Sequence, residues 1–209
     1  MTCVKRLVGA GLCLLTVAAL SGCAFGTRQP TLVYPPSAAS SDAVAAPRSP
    51  TVATKRTKVV LASFRDERTD KTVVGTVRNG FGMRTADVVP TNNVADWVTE
   101  AVGTELRSNG YTVVRGSAAD ANDPDSILVS GDVLNVFCDM YMSYTGQVSL
   151  LTKVNRGNRD LLTKHYAGEG SAGLAMAATG ESYAESLALA LRDALRKFAA
   201  ELEARLAEK

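Results

Sequence analysis

The chain is poor in the residues that chemistry most often needs. Among 209 residues there is one histidine, His165, one tryptophan, and only 6% aromatics. A zinc site needs three or four His, Cys or carboxylate ligands, and the single histidine has no second imidazole to join it, so no metal or metal cofactor is expected. No G-x-S-x-G elbow surrounds a serine, so the nucleophile of a Ser-His-Asp hydrolase has no recognisable seat. No catalytic residue is assigned, no cofactor is expected, and the chain reads as a non-enzyme. Neither sign of charge dominates: 23 Lys and Arg face 21 Asp and Glu, and setting aside Lys5 and Arg6 leaves 21 against 21. Without net positive charge or a dense basic patch, nucleic-acid binding loses its main driving force, so no nucleic-acid partner is expected. The longest apolar run, residues 7–20, would span about 21 Å as a helix. That is short of the ~30 Å hydrocarbon core of a bilayer.

That short run is informative in another way. Lys5 and Arg6 precede it, and Leu20-Ser21-Gly22-Cys23 follows it, the order of charge, apolar core and small residues found in a signal peptide. The final four residues resemble the lipobox of bacterial lipoproteins, in which cleavage occurs before the cysteine and its sulfur carries lipid. Residues 1–22 are therefore expected to be a leader and Cys23 the acylated first residue. Acyl chains contribute about 0.8 kcal/mol per buried CH2, enough in combination to hold a protein on a membrane without a spanning segment. Ala24 is not the aspartate associated with inner-membrane retention, so the expected address is the periplasmic face of the outer membrane. Of four cysteines, Cys3 and Cys13 leave with the leader and Cys23 takes lipid. Cys138 remains alone, cannot form an internal disulfide, and is expected to be buried.

Residues 24–56 hold five of the seven prolines among Ser, Ala and Thr. This composition predicts a tether over residues 23–56, reaching on the order of 30 Å as a coil and up to about 100 Å as polyproline II. The remaining residues, 57–209, are one domain's worth of chain.

Within that domain, Lys58 to Phe64 predicts an apolar first strand. A helix over residues 94–108 follows from Val94, Trp97, Val98, Ala101, Val102 and Leu106, with Asn92 or Asn93 as its cap and Asn109-Gly110 as its stop. A second strand at residues 111–115 makes a β-α-β start with parallel strands. Residues 72–77 and 84–89 flank Asn79-Gly80-Phe81-Gly82, the pattern of a hairpin turned at Asn-Gly. Residues 126–137, 141–154 and 160–168 form a predicted antiparallel meander. In its first strand, alternation places Ile127, Val129, Gly131, Val133, Asn135 and Phe137 on one face, although imperfectly. A stripe of Leu187, Leu191, Ala194, Leu195, Phe198, Leu202 and Leu206 predicts a long helix over residues 182–207 that covers the sheet. The fold class is α+β: one mixed or mostly antiparallel sheet with a βαβ start, a meander and a long C-terminal packing helix.

Candidate sites are few. Gly168-Glu169-Gly170-Ser171-Ala172-Gly173 has the spelling G-x-G-x-x-G, but no strand follows the next helix, so the βαβ unit of dinucleotide binding is missing. The glycines read instead as a loop. The charged run Asp66, Arg68, Asp70 follows the first strand, where ligands often bind. Phe81, Met83 and Arg84 fall near the hairpin tip, on a connection longer than its neighbours require. These six residues are the candidate partner-binding set. Tyr141 and Tyr144, beside Met140 and Met142, are a weaker candidate surface.

The lipobox, the segment Asp66-Glu67-Arg68-Thr69-Asp70, the helix ending at Asn109-Gly110-Tyr111 and the C-terminal helix together resemble the YajG-like lipoproteins of Gram-negative bacteria, an uncharacterised family. The resemblance implies a periplasmic α+β domain and supplies no catalytic residues. The expected function is a non-enzymatic binding or accessory module for an envelope protein, attached to the membrane by acyl chains on Cys23. The alternative is a carrier or binder of a small envelope ligand such as a lipid or glycan fragment.

Overall fold

The computed structural model describes residues 26–35, 57–121, 123–174 and 179–208. The leader, Cys23 and residues 36–56 of the expected tether lie outside them. Eleven regular segments follow in order: β1 (Lys58–Leu61), β2 (Arg65–Asp66), β3 (Gly75–Arg78), β4 (Arg84–Val88), α1 (Val94–Ser108), β5 (Thr112–Arg115), a 3-10 turn (Ala118–Asp120), β6 (Ile127–Met140), β7 (Ser143–Arg156), β8 (Arg159–Leu174) and α2 (Gly180–Ala207). The α+β class is as expected.

β6 organises the single mixed sheet. Along one edge it pairs antiparallel with β7, which pairs antiparallel with β8, giving the expected meander. Along its other edge β1, β2 and β3 follow one another, all parallel to it, at Val59↔Ile127, Arg65↔Asp132 and Thr76↔Asp139. β5 lies parallel outside β1, so β1-α1-β5 is the expected crossover, and β4 closes a hairpin with β3.

Local chemistry sets the helix ends. The Asn93 side chain accepts from the Asp96 amide at 3.1 Å, and Gly110, at φ 90°, carries the chain out of α1. Thr179 caps α2, which begins at Gly180, two residues before its expected start. The apolar stripes of both helices, including Trp97, Leu106, Leu187, Leu195 and Phe198, merge with the sheet in one core.

Three expectations need correction. The first concerns the face of β6. Val133 pairs with Leu150 but Asn135 with Ser149, so Leu134 is an extra residue and the strand changes phase there. Ile127, Val129 and Val133 face the core before this bulge, and Val136, Cys138 and Met140 face it afterwards. Asn135 and Phe137 turn to the opposite face.

The second concerns the glycine-rich run, which is strand rather than loop. Gly168 pairs with Val148 and Gly170 with Gly146. A Cβ on Gly168 would stand 2.1 Å from the Ala190 carbonyl oxygen of α2, and one on Gly170 would stand 2.4 Å from the Ala190 nitrogen. These glycines let a helix lie on the sheet almost backbone to backbone.

The third concerns residues 26–35, which are part of the expected tether but pack against the domain. Leu32 and Tyr34 are buried with the core. The Arg28 amide donates to Asp87 O at 3.0 Å, and Val89 N–H donates to Arg28 O at 2.8 Å. The Tyr34 hydroxyl donates to Glu105 Oε2 at 2.9 Å. Burial and the adjacent Glu105 carboxylate push the Tyr34 phenol well above its usual range. An apolar Leu-Val-Tyr triplet between prolines is enough for this docking, because it needs only two buried side chains and the free edge of β4.

Candidate functional site

The charged run after β1 folds in on itself. Arg68 is almost fully buried and clasps Asp66 with two hydrogen bonds of 2.9 Å each. Its remaining donors reach Lys71 O at 2.8 Å and Val73 O at 3.1 Å. Asp70 accepts from Thr72 N, Thr72 Oγ1 and Val73 N, closing a turn. Partial burial works against ionised Asp66, but the Arg68 hydrogen bonds and charge outweigh it and lower its pKa. Hydrogen bonds from Thr72 likewise hold Asp70 below the usual carboxylate range. Arg68 therefore braces the loop between β2 and β3, and its guanidinium is not offered to a partner.

Removing this brace has a calculable consequence. Arg68→Ala leaves two carbonyls without their side-chain donor and the Asp66 carboxylate with only the residue-68 amide, and breaking a buried charged pair costs about 3 kcal/mol. Thermal melting of the variant should fall by roughly 6–12 °C. A wild-type melting temperature would show that the brace carries no stability. Because the Asp66 pKa is lowered on folding, its share of stability is present above the unfolded carboxylate pKa and is lost as pH falls through the folded one.

A depression of about 250 Å³ brings Arg68, Asp70 and Arg84 together against Leu134 and Phe137 on the outer sheet face. Arg84 is paired with Asp87. Phe81 and Met83 lie beyond this depression, at the hairpin tip. The positive φ of that turn falls on Gly82, at 80°, rather than on the Asn-Gly pair, and Asn79 Oδ1 accepts from the Phe81 and Met83 amides at 3.0 Å each. Arg78 ties the base of the turn to Asp139 at 2.7 Å and to Gly82 O at 3.0 Å.

The register places more than the hairpin at this end of the sheet. Val77 is level with Met140, so the tip rises beside the β6–β7 turn that carries Tyr141 and Met142. Ser143 is level with Leu174, the last residue of β8. Gly82 approaches the Tyr141 ring, to which a Cβ there would stand at 3.4 Å. Phe81 is 90% exposed, Leu174 77%, Met142 73%, Met83 60% and Tyr141 49%. Only Val33 and Val114 complete the set of exposed large apolar residues among the described positions, so most of that surface is gathered at one end. Tyr144 and Met140 are buried beneath it, which divides the Met and Tyr cluster into support and surface. Tyr144 meets Tyr183 edge to face at 5.0 Å, and the Tyr183 hydroxyl donates to Thr76 O at 3.1 Å, so the end stands on a packed base.

A second feature was not legible in the sequence. Residues 29–35 and the first half of α2 enclose an open groove of about 700 Å³, walled by Pro30, Val33, Ala184, Ala188 and Leu189, with Arg192 at its margin. Arg192 donates to Pro35 O at 3.2 Å. It arises from the docking of a segment that composition assigns to the tether.

The remaining reactive residues are placed elsewhere. His165 is exposed on β8, opposite Leu151. Cys138 is buried with its thiol 3.7 Å from Ser186 Oγ, and burial pushes its pKa up to about 11. Among the described residues no group of three or more His, Cys, Asp or Glu could hold a metal ion.

A mixed sheet backed by two helices, with an apolar end and a lateral groove, defines a small α+β domain. The chain belongs to a family of uncharacterised lipoproteins, whose family model matches residues 45–205. This agrees with the resemblance drawn from Asp66–Asp70 and Asn109–Tyr111. No curated protein matches the chain. Among solved structures it is similar to a protein from Xanthomonas campestris, at 10% identity, 87% of this chain, 95% of the other and a TM-score of 0.53. It is also similar to an uncharacterised protein, at 9% identity, 85% and 99% coverage and a TM-score of 0.52. A hypothetical protein from Chlamydia trachomatis matches at 10% identity, 73% and 98% coverage and a TM-score of 0.46. The first two likenesses concern the fold.

Proposed function

We propose that this lipoprotein is acylated at Cys23, sits on the periplasmic face of the outer membrane, and acts without catalysis as a binding module for an envelope protein. Family membership supports the lipoprotein part of this reading. No helix among the described residues is long and apolar enough to cross a membrane, which fits attachment by lipid. The observation that carries the binding role is the groove beside α2. Its apolar walls and charged margin suit an amphipathic or extended segment of another protein, laid along the helix.

A photo-reactive residue at Leu189, in cells, should yield one dominant adduct with an envelope protein. Glu185→Trp, which obstructs the groove from an exposed position on its wall, should abolish that adduct while leaving the melting temperature unchanged. No protein adduct at Leu189 would overturn this role. The groove volume also lies within the roughly 300–1,000 Å³ of small-molecule sites, which favours a small lipid or glycan fragment as the second reading. Native mass spectrometry of protein extracted from its own membranes would separate the two by a retained ligand mass.

A further inference from the structure

We propose that the apolar end formed by Phe81, Met83, Tyr141, Met142 and Leu174 faces the anchoring bilayer and inserts into its interfacial layer. This rests on the reading that Cys23 carries the acyl chains, and it adds an orientation and a second membrane contact to that reading.

Chain direction carries the argument. Arg28 bridges Val88 in parallel sense. β4 runs from the hairpin tip at Arg84 toward Val88, so the N-terminal segment also enters its bridge from the tip side. Tracing the chain backward from Arg28 to Gly26 therefore leads toward the apolar end. Cys23 is three residues before Gly26, and three residues of any conformation reach at most about 10 Å. The same number of residues, five, separates Arg28 from Cys23 and Val88 from Met83. With residues 26–35 docked, an acylated Cys23 holds the domain close to the bilayer, and the end brought nearest is the one that exposes the apolar residues.

The chemistry of that end fits a lipid interface. Its residues sit on a hairpin tip, a tight turn and a strand terminus, all projecting from the sheet, so they can enter a layer of headgroups while the sheet stays outside it. Phe, Leu and Met supply apolar area, and Tyr supplies a ring with a polar tip, the combination that favours the membrane interface. Apolar patches of this kind mark interaction sites on soluble domains, and the exit of the anchoring chain distinguishes a bilayer from a protein as the occupant. Arg78 and Asn79 hold the turn from within, so insertion needs no rearrangement.

The test uses the full mature chain, purified with its lipid and reconstituted into vesicles of phosphatidylethanolamine and phosphatidylglycerol. Phe81→Trp, Met142→Trp and Val114→Trp are compared above the background of buried Trp97. Val114, on β5, is level with Val60 and so lies toward the start of β6, away from the apolar end. Lipids brominated on their acyl chains should quench the Phe81→Trp and Met142→Trp signals at least twofold and leave Val114→Trp unquenched. Acylated, vesicle-bound protein whose tip tryptophans resist bromolipid would overturn the proposal while sparing the anchor. Tip tryptophans shielded from both bromolipid and aqueous iodide, in a concentration-dependent way, would overturn it in favour of a second copy. Cys23 found unmodified by mass spectrometry would overturn the anchor and this orientation together.

Discussion

Gly168→Val is expected to release α2 from the sheet and to lower the melting temperature by more than 10 °C. Gly168 lies under the helix with the Ala190 carbonyl oxygen 2.1 Å and the Ala194 nitrogen 2.5 Å from where a Cβ would stand. Gly170 and Gly146 meet Ser186 in the same way, at 2.5 and 2.6 Å. Ser186, Ala190 and Ala194 recur every four residues, so the small side chains of one helical ridge lie over the glycines of two strands. The obstacles are backbone atoms of a helix whose other side chains fill the core, so relief requires moving the whole helix rather than turning one rotamer. Overpacking typically costs 1–3 kcal/mol, and a branched side chain against backbone belongs at or above the top of that range. At roughly 2–4 °C per kcal/mol for a domain of this size, the expected shift follows. Gly80→Ala is the control, since nothing lies within 4 Å of a Cβ there, and it should melt within experimental error of wild type. Equal melting of the Gly168 and Gly80 variants would contradict the close packing of α2.

What the sequence revealed, and what it hid, follows from the range of each signal. Both helices were legible because their apolar residues recur at helical spacing and because Asn93 and Gly110 act on immediate neighbours, whereas the Thr179 cap of α2 went unread. The meander was legible as three apolar runs, but the change of face at Leu134 was not. A bulge is decided by which partner residue lies opposite, and that information resides in β7. The glycine-rich run was misleading for a related reason: its spelling is local, whereas its role is to admit a helix that begins seven residues after Gly173. The hairpin was placed correctly, and Phe81 and Met83 do reach solvent, yet Arg68 turned inward because its partners, Asp66 and two backbone carbonyls, are within five residues. Charged residues close in sequence can satisfy one another, and composition alone does not separate that outcome from an exposed site. Tyr141, Met142 and Leu174 joined the hairpin through strand register, which relates residues far apart in the chain.

The docking of residues 26–35 leads to the prediction with the largest expected effect, that Leu32→Ala combined with Tyr34→Ala destabilises the mature protein by about 5 kcal/mol. Leu32 and Tyr34 are among the buried core residues, although they belong to a stretch whose composition suggests a free tether. Truncating a buried leucine alone costs about 2–5 kcal/mol, and a buried aromatic about 3–5. The two sites share one strap and are expected to be less than additive. Removing Tyr34 also deprives Glu105 of the hydroxyl at 2.9 Å, inside a largely buried position. Chemical denaturation of wild type, Tyr34→Phe and the double variant would resolve the contributions: Tyr34→Phe should lose only about 1 kcal/mol for the hydrogen bond, and the double variant should lose the rest. The same strap walls the groove and sets where Cys23 can lie, so its release should also weaken the Leu189 adduct. It should free tryptophans at positions 81 and 142 from bromolipid quenching as well, even with the lipid intact. A double variant as stable as wild type would mean that residues 26–35 rest on the domain without holding to it, and the chain would again have the long reach that its prolines suggest.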